Sequence, residues 1–181
     1  NSFVLLGFCC DEGVRRNQGR VGAKDAPASF RKVLANLPVH FPEKIILKDA
    51  GDIRCDDGNL EQAQMALAEV VAIIVRRGGS PIVLGGGHEV TYGHYQGLRK
   101  VVNSDRIGII NIDAHLDIRP TVGGEGNSGT GFYQIASDCE NEGLGFHYLG
   151  IGIQEISNTR ALFNYAEYKN KVKYKLIPFI W

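Results

Sequence analysis

A short run of branched apolar residues, Ile107-Gly-Ile-Ile-Asn-Ile112, ends abruptly in Asp113-Ala-His115-Leu-Asp117. The run has the length and side-chain content of a buried strand. Both of its faces are apolar apart from Asn111, as in a parallel sheet covered by helices on either side. Asp113, His115 and Asp117 then fall at the carboxyl end of that strand, where open α/β sheets place their sites. If residues 113–117 stayed extended, the outer two would lie about 13 Å apart at roughly 3.3 Å per residue. Paired catalytic metal ions sit only roughly 3.5–4 Å from each other. Convergence on one site therefore requires the backbone to curl after Asp113, so the strand is predicted to end there. A lone Asp-Ala-His would read better as a solvated acidic turn. Asp117, and a second motif upstream, turn the reading to metal.

That second motif is Ser80-Pro-Ile-Val-Leu-Gly85-Gly86-Gly87-His88-Glu89, again a short apolar strand running into a polar loop. Glycines let the backbone approach another segment closely. Neither the Walker lysine nor dinucleotide-binding spacing is present, so a phosphate cradle is disfavoured. Alone, His88 would read as a histidine satisfied by local hydrogen bonds. At the end of a second strand facing the 113–117 cluster, it reads as a ligand. Glu89 can orient that ligand or serve as an ordinary helix-start carboxylate. His94, six positions further on, reads as structural or as a group supporting a ligand from behind, since its spacing puts it away from His88.

Together the two motifs resemble the first two metal motifs of the arginase/agmatinase/formimidoylglutamase family, the ureohydrolases. The resemblance implies a three-layer αβα fold with a mainly parallel central sheet, and two Mn2+ ions per complete site held partly by His88, Asp113, His115 and Asp117. The family's third motif is an Asp-x-Asp on a later strand. The downstream acids Glu125, Asp138, Glu140, Glu142, Glu155 and Glu167 do not have that spacing. The expectation is a single arginase-like domain over residues 1–181, incomplete at its C-terminus, that by itself binds Mn2+ weakly and turns nothing over.

The loop after Asp117 selects within the family. Arginases and agmatinases carry a proton-shuttling histidine after their Ser-Gly; here the matching position is Phe132. Arg119, directly after Asp-Ala-His-x-Asp-x, and Ser128-Gly-Thr130-x-Phe132 resemble formimidoylglutamases, with Gly131 where those carry proline. The resemblance then implies hydrolysis of N-formimidoyl-L-glutamate to glutamate and formamide, a late step of histidine breakdown. Its substrate bears two carboxylates, which arginines would hold. Arg119 is the first candidate and Arg20 the second, ahead of Arg15 and Arg16; Ser128 and Thr130 are candidate substrate contacts. Three alternatives stand beside this one: an arginase- or agmatinase-type guanidine hydrolase, a deacetylase-like metal hydrolase, and a metal-binding module without turnover.

The rest of the chain fits an α/β alternation. Strands are expected at Phe3–Phe8, Ile45–Leu47, Pro81–Leu84, Phe146–Gly150 and Lys173–Ile177. Helices are expected from an Asp25 cap to Leu37, over Leu60–Arg77 behind an Asn59 cap, over Tyr92–Val102, over Phe132–Asn141, and from Thr159 to Lys169. Asn17-x-Gly19-Arg20-x-Gly22-Ala23 resembles the family's N-terminal loop near the substrate end of the sheet. Asp49, Asp52, Asp56 and Asp57 are read as solvated. A formal charge of zero gives no reason to expect nucleic acid or an anionic membrane as partner. No apolar run is long enough for a transmembrane helix. Asn1-Ser-Phe-Val-Leu-Leu-Gly reads as a strand rather than a leader. Four cysteines without zinc spacing suit a reduced, cytoplasmic chain. The partner is a small-molecule substrate, and self-association is left open.

Overall fold

The computed structural model describes residues 2–168 and 172–176. Six strands and six α-helices alternate: β1 (Ser2–Cys9), α1 (Glu12–Arg16), α2 (Ala26–Leu34), β2 (Ile46–Arg54), α3 (Leu60–Arg76), β3 (Gly79–Leu84), α4 (Val90–Arg99), β4 (Gly108–Ile112), α5 (Gly131–Asn141), β5 (His147–Ile153), α6 (Arg160–Glu167) and β6 (Lys173–Leu176). All pairings are parallel. Among the described residues they form two three-stranded parallel sheets, ordered β2-β1-β3 and β4-β5-β6, in keeping with the parallel α/β fold expected.

β1 is the buried centre of the first sheet: Leu5, Leu6, Gly7 and Phe8 are buried in succession, so both faces are covered. On one side Leu6 and Phe8 share a core with Leu60, Leu67 and Val71 of α3. On the other, a side chain at Gly7 would collide with Asp52 and touch Pro27 of α2, so glycine lets those elements close down. α3 starts where Asn59 accepts a hydrogen bond from the Gln62 amide at 3.0 Å. It stops at Gly78, whose φ of +76° suits glycine.

Three expectations change. Asp25 lies in a single 3-10 turn and makes no cap bond, so α2 begins at Ala26 and ends at Leu34, before Leu37. β2 runs through the acidic stretch instead of stopping at Leu47, because Asp49 and Asp52 are neutralised by the Arg31 guanidinium. Asp56 pairs with Arg54. The 107–112 strand is not covered on both faces: Ile109 and Asn111 turn inward, while Ile110 and Ile112 are 67% and 82% exposed. Lys169 and Ile177, the expected ends of the last helix and strand, lie outside the described residues.

The second core lies beside that inward face. Leu116, Ile118, Phe132, Ile135, Tyr148 and Ile153 are buried together under α5 and α6. Leu116 and Ile118 are the apolar residues interleaved with the candidate ligands. Their burial anchors the loop that carries the ligands, at about 1.5–3 kcal/mol for each side chain.

Candidate metal centre

His88 stands at the end of β3, on a loop that lies flat against the chain leaving β1. The Gly87 amide donates to the Cys10 carbonyl at 2.9 Å. A Cβ on Gly86 would lie 1.8 Å from that same carbonyl oxygen. Only glycine permits this approach at position 86, and a Cβ on Gly87 would strike the Glu89 and Val14 side chains. Behind His88, the edge of its ring meets the Phe132 ring at a centroid distance of 5.6 Å. Glu89 is fully buried and accepts from the Gly13 amide at 2.9 Å, so it ties α1 to the glycine loop. Burial pushes the Glu89 carboxyl above its ordinary range. His94 takes no part in the cluster; burial pushes its imidazole down.

β4 ends at Ile112, and the chain curls as the ligand spacing requires. The His115 amide donates back to Asp113 Oδ1 at 2.9 Å, forming an Asx-type turn. Asp117 sits at φ +47°, a left-handed conformation that aspartate tolerates better than most residues. The curl brings ligand atoms of His88, Asp113 and Asp117 within 4.8 Å of one another. His88 Nδ1 is 2.5 Å from Asp117 Oδ2 and 3.3 Å from Asp113 Oδ2.

His115 stands outside this trio, with its ring half exposed and Nδ1 3.2 Å from the other Asp113 oxygen, Oδ1. Asp113 thus presents one oxygen to His88 and the other to His115. Burial would lower the His88 pKa, but the hydrogen bond and charge of Asp117, with the charge of Asp113, outweigh it and hold the imidazole above its usual range. Among the described residues neither carboxylate pairs with a lysine or arginine. Carboxylates balanced only by imidazoles, with mixed nitrogen and oxygen donors converging, suit a divalent ion such as Mn2+ or Zn2+. The residues present therefore fit a metal.

Of the candidate substrate contacts, the structure joins two. The Arg119 guanidinium donates to Asn17 Oδ1 at 2.9 Å, and Asn17 Nδ2 donates to Ser128 Oγ at 3.0 Å. A cavity of about 260 Å3 lies beside them, lined by His115, Asp117, Arg119, Ser157 and Asn158. Thr130 is placed elsewhere: it is fully buried, and its hydroxyl is engaged by Asn127 and Gln134, so it shapes the loop from beneath. Arg20 is exposed and makes no hydrogen bond to this group among the described residues. Arg15 and Arg16 lie on α1, a short helix where only a defined loop was expected, and pair with Glu12; Arg16 also reaches Glu61.

Sequence reasoning missed the residues that hold the site together. Asn17 was visible in a glycine-rich loop but not as a bridge between Arg119 and Ser128. Asn111, Tyr148 and Asn158 all hydrogen-bond the 114–116 backbone. Only Asn111, the lone polar residue in an apolar strand, carried a signal.

A parallel α/β chain with imidazole and carboxylates at facing strand tips defines a candidate metal-dependent hydrolase fold. The chain belongs to the arginase family, which residues 1–178 match. It is 52% identical to a formimidoylglutamase of Chromobacterium violaceum over 163 residues, covering 90% of this chain and 52% of that protein. A formimidoylglutamase of Geobacillus kaustophilus is 51% identical over 165 residues, covering 91% of this chain and 50% of that one. The crystal structure of Trypanosoma cruzi formiminoglutamase with Mn2+ superposes with a TM-score of 0.85 at 30% identity, covering 96% of this chain and 59% of that one. The chain therefore spans about half the length of the curated relatives it matches. No helix among the described residues is long and apolar enough to cross a membrane.

Proposed function

We propose that this chain carries part of the binuclear manganese centre of a hydrolase that cleaves N-formimidoyl-L-glutamate to L-glutamate and formamide, within histidine breakdown in the cytoplasm. One observation carries the reading: Asp113 turns one oxygen to the His88–Asp117 pair and the other to His115. Asp113 would thus serve as a ligand of the same centre as His88 and Asp117 on one side and His115 on the other. The identity to formimidoylglutamases supports the choice of substrate. Two ions need more ligands than these four residues offer, so the activity is proposed for a protein in which further carboxylates complete the set.

When bound, the two ions supply Lewis-acid polarisation and a water acidic enough to attack near neutral pH. The chain's own residues bind and orient. Arg119, braced by Asn17 and Ser128, offers a guanidinium on the cavity beside the ligands, where a substrate carboxylate can be gripped. Phe132 closes the wall behind His88 and leaves that position without a proton-carrying group. Arg20 remains a weaker candidate contact than Arg119 and Ser128 in this reading, and Thr130 supports the loop from beneath.

The test is an assay of the Mn2+-loaded complete protein, with the further carboxylates in place, against N-formimidoyl-L-glutamate, agmatine and arginine. Release of glutamate and formamide is expected. Release of urea from either guanidine substrate, with no formamide, would overturn the choice of substrate.

A further inference from the structure

The loop bearing three of the four candidate ligands is clamped by one distant side chain. Asn158 Oδ1 accepts from the Leu116 amide at 2.9 Å, and Asn158 Nδ2 donates to the Ala114 carbonyl at 2.8 Å. The same Nδ2 donates to the Gln154 carbonyl at 2.8 Å, while the Gln154 amide donates to Ala114 at 3.0 Å. The carboxamide therefore pairs with the peptide groups on either side of His115 as a neighbouring strand would. It also anchors them to the end of β5. His88 arrives on a different loop and meets the clamped one only through Asp113 and Asp117.

We infer that Asn158 is a positioning residue for the metal centre: its carboxamide fixes the 114–116 backbone and with it the spacing of Asp113, His115 and Asp117. The inference rests on the metal-centre reading above. Supporting groups of this kind typically change metal affinity by about 10–100-fold. Leucine has the branched outline of asparagine, so Asn158→Leu removes the hydrogen bonds while filling the same position with a somewhat bulkier side chain. Asn158→Ala removes the hydrogen bonds and the bulk, as a second variant in case the first packs poorly. No charge is introduced by either.

The experiment titrates Mn2+ into the purified protein and each variant by calorimetry, and records apo unfolding temperatures. The visible absorption of the Co2+-substituted forms is compared in parallel. The expected result is at least about tenfold weaker Mn2+ binding, with an altered Co2+ band, in a variant whose apo unfolding temperature stays close to that of the parent. Unchanged affinity and an unchanged Co2+ spectrum in both variants would overturn the inference. So would weaker binding that only tracks lost apo stability in both, since that marks a purely structural role. Failure of the parent protein itself to bind Mn2+ would instead overturn the metal-centre reading, and this inference with it.

Discussion

The two loops that meet at the candidate metal centre reach it by opposite means. The Gly85–Gly87 loop is positioned by having no side chains: it lies so close to the chain leaving β1 that a methyl group at Gly86 would strike a carbonyl oxygen. The 113–117 loop is positioned by side chains borrowed from elsewhere, with Asn111, Tyr148 and Asn158 each bonding its backbone. The first is fixed by steric fit to one neighbour, the second by polar groups spread over β4, β5 and the segment before α6. Damage to the first should be abrupt, and damage to the second graded.

The glycine loop offers the sharpest break. Gly86→Ala puts a methyl group against backbone, which cannot rotate away, and should cost about 3 kcal/mol. That corresponds to a fall of about 6–12 °C in unfolding temperature. Gly85→Ala is the internal control. Its Cβ would meet only the Val90 side chain at an ordinary 3.4 Å, so its effect should stay within about 0.5 kcal/mol. Equal unfolding temperatures for the two variants would remove the steric account of this loop.

At the meeting point itself, Asp117→Asn should weaken Mn2+ binding by more than about a hundredfold, beyond what supporting groups do. It also tests the electrostatics without metal. Asp117 is the main group holding the His88 imidazole above its ordinary 6.5. A raised folded-state pKa contributes stability that is fully present below the unfolded value and is lost as pH rises through the folded one. The apo protein should therefore lose stability in a window just above pH 6.5, and Asp117→Asn should shrink that loss and lower the His88 pKa read by NMR. A His88 pKa that does not move would dissolve the pairing.

The polar clamps should give smaller steps. Tyr148 donates its hydroxyl hydrogen to the Leu116 carbonyl and accepts from Asn111 Nδ2, both at 3.1 Å. Tyr148→Phe keeps the buried ring and drops both bonds. The expected cost is about 1–2 kcal/mol by denaturant melt, with a modest fall in Mn2+ affinity. A loss as large as that of Gly86→Ala would contradict the contrast between the loops.

That contrast also explains what was legible in the sequence. Steric necessity is local: three glycines before a histidine, and alternating ligands after an apolar run, announce the strand ends and the curl without any partner being known. Polar clamping is not local. Asn158 lies more than forty residues from the loop it holds, and Ser157-Asn158-Thr159 reads equally well as a helix start. The same limit governs β2, whose aspartates look like a solvated loop until Arg31 is known to neutralise them. It governs β4 too, whose apolar outer face promised a covering layer that no described element supplies. Thr130 looked like a substrate contact because a hydroxyl after Ser-Gly carries no mark of whether it points out or is used within its own turn.

The mildest perturbation lies on α1, the short helix that Glu89 ties to the glycine loop. Glu12 bonds Arg15 and Arg16 there, and those bonds, Arg15 foremost, hold its carboxyl below the usual range. A depressed carboxylate contributes stability that is present above its unfolded pKa and is lost as pH falls through the folded one. Glu12→Gln should thus cost about 0.5 kcal/mol at pH 7, the scale of surface ion pairs. The two melting curves should converge below about pH 4. Because Glu89 reaches α1 through the Gly13 amide and not through Glu12, Mn2+ affinity should be untouched. A drop in affinity with Glu12→Gln would mean that the charges of α1, and not only the backbone contacts of the glycines, set where His88 stands.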